Sequence, residues 1–508
     1  MTETFSSSAV RPGDDAYEAL SRRGLNKRFT ARPDTFHVVT STDEVVRVVR
    51  QAVRDGHRIA VRSGGHGYEN VAGDPSVQVV VDLGEMRGVS YDTERGAFAV
   101  EPGVRIADLY RHLYENWGVA LPAGDSATVG VGGHVAGGGF GSLSRAHGLA
   151  ADHLLAVEVV VVDASGEARA VVASRDPEDP HHDLWWAHTG GGGGNFGIVT
   201  RYWFRSPAAR GGEPGDALPR PWDSVLTGTV LFPREALDRA ALRTLVGNFG
   251  RWHEENSGPD SPYTSLFGGL ILNGRPGPGG DAPLGAVAFA HVDATRPDAD
   301  RLLAAHTADI IRGLGDFPVV LPTEVLPWLD AKKALAAAQD AEVGRQKVKS
   351  SFLRRRWTDE QVDTLFDHLD AENPPHDSSL IALQSYGGRI NAVAGDVTAS
   401  VQRDSVLQAF FMNTWQDPER DEAAVDWMRR LYRDLHAKTG GVPVPGDEHA
   451  GCYVNFPDAD LADPEWNTSE AGWEELFYGQ NADRLRAVKA TWDPRGVFRH
   501  HLSIRGEH

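Results

Sequence analysis

Residues 61–68 combine residue types that could hold a ligand and react with it. They read Val-Arg-Ser-Gly-Gly-His-Gly-Tyr, so that His66 stands among Gly64, Gly65 and Gly67. Consecutive glycines permit positive φ and let backbone N–H groups approach a ligand closely, and successive N–H groups in such a turn form a nest that binds anions. The imidazole of His66 would then lie beside the bound group. Taken alone, a Gly-Gly-His turn is more often a surface loop, so other stretches must decide.

Two further stretches are equally rich in glycine. Residues 128–141 read TVGVGGHVAGGGFG, and residues 190–197 read GGGGGNFG. The first lacks the Gly-Lys-Ser/Thr of a Walker loop, and no run of helical period follows it to complete a Rossmann fingerprint. Each stretch is flanked by Trp, Phe or Val, which argues against a flexible linker. Three such turns favour an extended cofactor that contains a pyrophosphate.

Together these stretches resemble the berberine-bridge-enzyme-like flavin oxidases, a group within the vanillyl-alcohol oxidase and p-cresol methylhydroxylase superfamily. The resemblance covers residues 30–505 and includes the sequence that ends the chain. It rests on Arg62-Ser63-Gly64-Gly65-His66, Val129-Gly130-Val131-Gly132-Gly133-His134, Asp183-Leu184-Trp185-Trp186-Ala187, Gly194-Asn195-Phe196-Gly197, Tyr453-Val454-Asn455-Phe456, Tyr478-Gly479 and Asp493-Pro494.

The resemblance implies an FAD cofactor attached covalently through His66, whose neutral imidazole attacks the activated methyl carbon of the flavin ring. Many family members have a second tether, a cysteine at the position that is Ser126 here. Serine cannot form a thioether, and the single cysteine, Cys452, lies far away in sequence, so we expect one attachment only. No metal is expected. The expected cofactor-binding residues are His66, Arg62, Ser63, Gly64, Gly65, Gly67, Thr128, Gly130, Gly132, Gly133, His134, Gly137, Gly138, Asn195, Phe196, Gly197, Val199, Tyr453 and Asn455.

Tyr453 is the expected catalytic residue. It resembles the family tyrosine of a Tyr-x-Asn motif, which acts over the flavin ring as a base or hydrogen-bond partner. On a strand, Tyr453 and Asn455 would point the same way and face one ligand. A free phenol has a pKa of about 10 and is a poor base at neutral pH unless its surroundings stabilise the phenolate. The alternative is a buried structural tyrosine.

The strand that ends in Phe410-Phe411-Met412-Asn413-Thr414-Trp415 resembles the family strand that lines the active site. Alternate side chains of a strand share a face, so we expect Phe411 and Asn413 to contact the substrate together. Family members often place a carboxylate or a tyrosine on this strand. This sequence has neither, which weakens the case for a site with two bases.

Three functions remain open at this point. The first is an FAD-dependent oxidase that removes hydride from a C–H bond of an alcohol, a lactol or sugar, or an amine, with a natural product as the expected substrate, and passes the electrons to O2 to give hydrogen peroxide. Oxidative ring closure is a variant of it. The second is a drug-binding or detoxifying resistance flavoprotein. The third is a dehydrogenase that uses another electron acceptor.

The elements that must position these residues follow from periodicity and capping. Ser41 and Glu44 form a capping box, the apolar spacing that follows is helical, and Gly56 ends the helix. A strand at 58–62 then completes a β-α-β unit that delivers the Gly-Gly-His turn. A second helix is predicted from Ile106 to Trp117, and further strands at 77–83, 157–162, 168–172, 225–231, 265–272, 379–385 and 406–414.

The pattern changes after a Gly-, Pro- and Arg-rich break at 207–222, where alternation favours an antiparallel sheet covered by helices. We expect an α+β fold with a two-part FAD-binding domain of the p-cresol methylhydroxylase type. Its first part is residues 1–207, with a core at 33–207, and residues 446–508 return to it. Residues 208–445 form the substrate-binding domain between them, with helices at 233–252 and 298–313 and a loop at 273–283.

Composition narrows the partners. The 508 residues carry a net charge of −20 without a long basic cluster, which argues against nucleic acid and anionic membranes. No apolar run reaches the length of a membrane span, residues 1–30 lack the apolar core of a signal peptide, and one cysteine suits a reducing compartment. The expectation is a cytoplasmic monomer or homodimer whose partners are a small-molecule substrate and O2.

Overall fold

The computed structural model describes residues 8–277, 280, 282–339 and 344–506. Two sheets are built from the first part of the chain. The first has the order β1-β2-β4-β3, with β4 parallel to both β2 and β3. The second is antiparallel and has the order β5-β6-β9-β7-β8. Their strands are β1 (Ser8–Val10), β2 (Thr35–Val38), β3 (Ile59–Arg62), β4 (Val79–Asp82), β5 (Val89–Asp92), β6 (Ala97–Val100), β7 (Leu154–Val162), β8 (Ala168–Ser174) and β9 (Ile198–Phe204).

The third sheet has eight strands, and all its neighbouring strands are antiparallel. The order is β13-β10-β12-β11-β16-β17-β15, and β14 pairs with β10 beside β13. The strands are β10 (Ser224–Pro233), β11 (Leu266–Asn273), β12 (Leu284–Asp293), β13 (Val319–Val320), β14 (Glu324–Pro327), β15 (Arg345–Leu353), β16 (Ser378–Ser385) and β17 (Leu407–Trp415).

Helices lie between and over these sheets. The α-helices are α1 (Tyr17–Ser21), α2 (Thr42–Asp55), α3 (Ile106–Trp117), α4 (Val131–Ala136), α5 (Ser144–His147), α6 (His182–Ala187), α7 (Pro214–Ala217), α8 (Arg239–Asn256), α9 (Ala299–Ile311), α10 (Trp328–Gln339), α11 (Asp359–Leu369), α12 (Asp421–Leu435), α13 (Trp473–Tyr478) and α14 (Ala482–Trp492). Short 3-10 turns occupy Ala150–His153, Arg234–Ala236, Gly388–Ala392, Pro418–Arg420, Ala437–Thr439, Ala459–Ala462 and Gly479–Asn481.

Helix α2 shows how local sequence sets the fold. The Ser41 hydroxyl accepts a hydrogen bond from the Glu44 backbone N–H, and Gly56 ends the helix at φ +70°. The Glu44 carboxylate caps the N–H of Thr40 at 2.7 Å, one residue earlier than a standard capping box places it. Buried valines on one face of α2 pack on the first two sheets. Strand β3, which follows α2, ends at Arg62, where the glycine-rich turn at 63–67 begins.

The third sheet has one face covered by helices and one face open. Leu303 of α9 lies over Gly228 of β10, and Tyr432 of α12 packs on Phe411 of β17. The open face is turned towards the glycine-rich loops of the first two sheets. The predicted α+β class, with an antiparallel sheet covered by helices, is confirmed.

The last part of the chain returns to the first. Phe498 forms an isolated bridge with Ile59 of β3. Buried Lys489 of α14 donates hydrogen bonds to the backbone oxygens of Asn195 and Phe498 at 2.5 and 2.6 Å, and pairs with Asp493 at 2.6 Å. These contacts hold the glycine-rich turn at 190–197 against the chain end.

Some elements differ from the sequence prediction. The helix predicted at 233–252 begins at Arg239, because a 3-10 turn follows Pro233 and the Asp238 carboxylate caps α8. Strand β15 was not predicted. The loop predicted at 273–283 lies partly outside the described residues. Among the residues that the structure describes, no helix is long and apolar enough to cross a membrane, and no group of three or more His, Cys, Asp or Glu side chains is placed to hold a metal ion.

Candidate active site

A cavity of about 1000 Å³ separates the glycine-rich loops from the open face of the third sheet. One wall is formed by residues 61–73, 124–134 and 192–199. The opposite wall is formed by alternate side chains of β10, β11, β12, β16 and β17: Thr227, Thr229, Ile271, Val287, Phe289, His291, Leu380, Ala382, Gln384, Gln408, Phe410 and Met412.

Two of the glycine-rich loops pack backbone against backbone. A Cβ atom built on Gly64 would overlap the backbone nitrogen of Gly130, and one built on Gly130 would overlap that of Gly64. Gly65 has φ +79°, in the left-handed region that favours glycine. The Ser63 hydroxyl donates a hydrogen bond to the Pro102 oxygen at 2.6 Å and fixes the start of the turn.

Other glycines leave room in the cavity itself. A Cβ on Gly133 would have no heavy atom of the described residues within 4 Å, and one on Gly193 would meet only Gly133 Cα at 3.6 Å. Both residues line the cavity, in segments that come together from distant parts of the sequence. Protein packing therefore does not explain these glycines. A cavity of this size, with bare backbone on one wall, has room for a dinucleotide such as FAD.

The structure brings most of the predicted cofactor-binding residues to this cavity. The Thr128 hydroxyl lies 2.9 Å from His66 Nε2, which fixes one edge of the imidazole. The predicted residues that line the cavity are Arg62, Ser63, Gly64, Gly65, His66, Gly67, Thr128, Gly130, Gly132, Gly133, His134, Asn195, Gly197, Val199, Tyr453 and Asn455.

Two of these lining residues also have structural roles. Buried Arg62 pairs with Asp82 of β4 at 2.7 Å. Asn195 donates a hydrogen bond to the Gly191 oxygen at 2.9 Å and accepts one from the Ile504 N–H at 3.1 Å. These contacts fix the positions of both side chains in the wall of the cavity.

Three predicted cofactor-binding residues lie elsewhere. A Cβ on Gly137 would overlap the Asn455 amide, and Gly138, at φ +102°, lies against the Ser400 hydroxyl. Phe196 is a core side chain that packs on the His188 ring at 5.7 Å. Their glycine or aromatic character serves close packing behind the cavity wall, and none of the three lines the cavity.

Tyr453 lies at the cavity with its hydroxyl surrounded by donors. Asn455 Nδ2 donates to the Tyr453 oxygen at 3.0 Å and to the His134 backbone oxygen at 2.9 Å. Burial raises the pKa of the Tyr453 phenol to about 12, although Asn455 and the backbone N–H groups of Phe140 and Gly139 act in the opposite direction. The predicted convergence of Tyr453 and Asn455 is found, but through an irregular turn and not through a strand.

Phe411 and Asn413 face away from the cavity. Phe411 packs on Trp357 and Tyr432, and Asn413 Nδ2 donates to the Ala424 oxygen of α12 at 2.8 Å. Both side chains are fully buried under the helices. They share one face of β17 as predicted, but it is the covered face, so the expected substrate contact is wrong. The apolar residues on both faces of this strand conceal which face is open.

The open face carries two glutamines that the sequence analysis did not single out. Gln408 of β17 and Gln384 of β16 are directly opposite each other in the ladder. Gln408 is fully buried, and neither its Oε1 nor its Nε2 has a hydrogen-bond partner among the described residues. Each glutamine lies in a predicted strand, at 379–385 and 406–414, but only the register between the two strands brings them together.

Three ionisable side chains that line the cavity, Asp125, His134 and His291, are either paired or neutral. Asp125 and Lys332 form a buried ion pair, in which Ser142 Oγ donates to Asp125 at 2.7 Å. Burial lowers the pKa values of His134 and His291 to about 4, so both imidazoles are neutral at pH 7. The Cys452 thiol is buried beside the Tyr432 hydroxyl at 3.4 Å, and burial raises its pKa to about 12.

Comparison with known proteins agrees with this geometry. Residues 33–171 match the FAD binding domain model, and residues 452–505 match the berberine and berberine-like model. The aclacinomycin-N/aclacinomycin-A oxidase of Streptomyces galilaeus is 47% identical over 97% of this chain and 88% of its own. The hexose oxidase of Chondrus crispus is 29% identical over 95% of this chain and 92% of its own. A solved glycopeptide hexose oxidase complexed with teicoplanin superposes with a TM-score of 0.92 at 44% identity, with 98% of each chain covered.

Fold, cavity and matches together define an FAD-linked oxidoreductase. The chain belongs to the berberine-bridge-enzyme-like family of FAD-dependent oxidases.

Proposed function

We propose that this protein carries one covalent FAD on His66 and oxidises a hydroxyl-bearing carbon of a sugar that forms part of a natural product. The electron acceptor is O2, and hydrogen peroxide is the second product. The observation that carries this proposal is the placement of Tyr453 and the glutamines Gln384 and Gln408 around one cavity whose other wall is a glycine-rich cradle.

The cofactor would be held by residues 62–67, 128–130, 132–134, 192–195, 197 and 199, with His66 as the attachment point. Bound there, FAD supplies hydride acceptance and the transfer of electrons to O2. Ser126 lines the cavity where a second tether would start, and a serine hydroxyl cannot make the thioether. Buried Cys452 lies beside Tyr432 instead, which supports a single attachment.

Tyr453 would take the proton of the substrate hydroxyl. Burial raises the pKa of its phenol to about 12, so the phenol is protonated at pH 7 and must first lose its proton to solvent before it can act as a base. The Asn455 amide and the backbone N–H groups of Gly139 and Phe140 point at the same oxygen and would stabilise the phenolate, which becomes neutral again as it takes the substrate proton. A general base of this kind contributes roughly 10²–10⁴-fold to a rate.

The two glutamines favour a neutral polyol. A carboxamide offers two N–H donors and an acceptor oxygen, and each substrate hydroxyl offers one donor and accepts as well. An unpaired buried polar group costs about 1–3 kcal/mol, so hydroxyls on the substrate would satisfy Gln408 at a gain. The buried carboxylates in the lining, Asp125 and Glu69, are each paired with a lysine, which suits an amine cation less well.

The relatives support the same class. The hexose oxidases are named for a sugar substrate, and one of them is a glycopeptide enzyme whose structure contains teicoplanin. The aclacinomycin oxidase is named for a natural product.

The test is anaerobic mixing of the purified protein with a panel of simple sugars, glycosylated natural products, simple alcohols and amines. We expect the flavin absorbance to bleach with one or more sugar-bearing compounds, and readmitted O2 to restore it with one hydrogen peroxide per turnover. Tight binding without bleaching would favour the drug-binding alternative. Bleaching that O2 does not reverse would favour a dehydrogenase.

A further inference from the structure

A buried cluster of charges joins the His66 turn, strand β15 and the segment that follows Tyr453. Lys347 and Lys349 of β15 both contact Asp458 and Asp460, at 2.6 to 3.0 Å. Arg429 of α12 closes the cluster on Asp460 at 2.7 Å. The two lysines and the two aspartates are each almost fully buried. Three cations and, with Glu69, three anions leave the cluster neutral.

The cluster reaches the His66 turn through one side chain. Lys347 Nζ donates to Glu69 Oε1 at 2.8 Å, and Glu69 follows His66 by three residues. Burial alone would raise the pKa of Glu69, but the charge and hydrogen bond of Lys347 lower it below the usual range. Asn26 adds a neutral link, because its Nδ2 donates to the backbone oxygens of Tyr68 and Gln346 at 2.8 and 3.0 Å.

The other end of the cluster lies beside the catalytic segment. Asp458 follows Asn455 by three residues, and the Tyr453 N–H donates to Ser350 Oγ of β15 at 3.0 Å. Strand β15 therefore contacts two turns that line the cavity, the turn that carries His66 and the turn that carries Tyr453.

We propose that Lys347 is a positioning residue for flavin attachment, which through Glu69 holds the turn at 66–69 so that the His66 imidazole meets the flavin methyl carbon. The inference rests on the single attachment at His66 proposed above. Attachment forms a bond between an imidazole nitrogen and that carbon, each of which loses one proton, and the two electrons released pass by way of the ring to O2 to give hydrogen peroxide. Lys347 contacts none of the reacting atoms.

Loss of the Lys347 charge would release the turn. Glu69 would then keep only the Ala459 N–H at 3.4 Å and the charge of Arg28, with which it forms no ion pair in the described structure, and a buried carboxylate that loses its paired cation is strongly destabilised. The turn has the freedom to relieve it by moving outward, because Gly67 is exposed and Gly65 is already at positive φ. His66 would move with it. A displacement of about 1 Å at a reacting group costs on the order of 10²-fold in rate.

The strand offers a matched control. Within the described part of the chain, Lys349 contacts the same two aspartates as Lys347, Asp458 and Asp460, but forms no ion pair with Glu69. Lys347→Met and Lys349→Met therefore remove equal charge from the same cluster, and only the first removes the Glu69 contact. Glu69→Met removes the acceptor of the Lys347 hydrogen bond from the other side and leaves Lys347 paired with both aspartates.

The experiment follows covalent incorporation over time after FAD is added to protein purified from riboflavin-limited cells, with the protein denatured in acid before its flavin is measured. We expect Lys347→Met and Glu69→Met to slow attachment at least about tenfold, a cautious fraction of the cost of misplacement, and Lys349→Met to stay close to wild type. Equal slowing in both lysine variants, or unslowed attachment in Glu69→Met, would overturn the inference. Wild-type protein that releases all its FAD would overturn the proposed attachment as well, and is a distinct result.

Discussion

At the scale of single residues, the proposed attachment of FAD depends on the contrast between His66 and Ser126. His66 lies in the cavity with its Nε2 held by the Thr128 hydroxyl. Ser126 lines the same cavity but has no chemistry for a thioether. Both side chains therefore reach the cavity, but only the imidazole has the chemistry proposed for attachment.

We expect His66→Ala to release all its FAD on acid denaturation, whereas the wild type retains it. Ser126→Ala is the matched control and should retain covalent FAD like the wild type, because the serine is not an attachment point. The measurement is the mass of the denatured protein. A His66→Ala protein that still carries the added mass of FAD would place the attachment elsewhere.

Residue types and spacing predicted the site better than side-chain direction. The glycine-rich motifs pointed to segments that form one wall of the cavity, because glycine is required wherever backbones approach as closely as Gly64 and Gly130 do. The faces of β17 could not be told apart, since Phe410 and Phe411 are both apolar and only the packing of α12 decides which one is covered. The Gln384 and Gln408 pair depends on register between two strands, which a single sequence does not fix.

At the scale of elements, helix α4 is the part of the cradle that motif inspection missed. Residues 131–136 form a short helix inside a stretch that reads as a loop because of its glycines. Strand β15 was missed for the opposite reason: Lys347 and Lys349 read as surface residues, and the partners that allow their burial, Glu69, Asp458 and Asp460, come from distant parts of the sequence.

The glycines of the cradle should separate into two classes on substitution. Gly133→Ala adds a methyl group that meets no heavy atom of the described residues within 4 Å, and alanine favours a helix over glycine by about 1 kcal/mol. We expect the FAD-free variant to unfold at or above the wild-type temperature but to bind less FAD. Gly64→Ala overlaps the backbone of Gly130 and should fail to fold stably.

Thermal unfolding and flavin content, measured on the same preparations, check this pair. Normal FAD content in Gly133→Ala would show that the cofactor does not pass beside α4.

At the scale of the whole molecule, the division into a two-part FAD domain and a substrate domain stays a prediction. The first two sheets lie within residues 8–204, and the third lies within residues 224–415.

Many histidines of the protein are buried in neutral form. Burial lowers the pKa values of His134, His147, His188, His291, His376, His449 and His500 to about 4. An unfolded histidine has a pKa of about 6.5. Between these values the unfolded chain binds protons that the folded protein does not.

Stability should therefore be complete above pH 6.5 and fall as the pH drops towards 4. Each such histidine contributes up to about 1.4 kcal/mol per pH unit within that window. We expect the urea midpoint to be clearly lower at pH 5 than at pH 7.5, with little change between pH 7 and 8. An equal or higher midpoint at pH 5 would show that these imidazoles are protonated in the folded protein.

The central claim is that Tyr453 removes a substrate proton as hydride leaves for the flavin. Anaerobic stopped-flow measurement of flavin bleaching in Tyr453→Phe, with a substrate identified on the wild type, tests it most directly, because this change keeps the ring and removes only the hydroxyl. We predict retained covalent FAD, near-normal substrate affinity and bleaching at least roughly tenfold slower than wild type, the cautious end of the range for a general base. An unchanged bleaching rate would contradict the claim and leave Tyr453 a structural tyrosine held by Asn455.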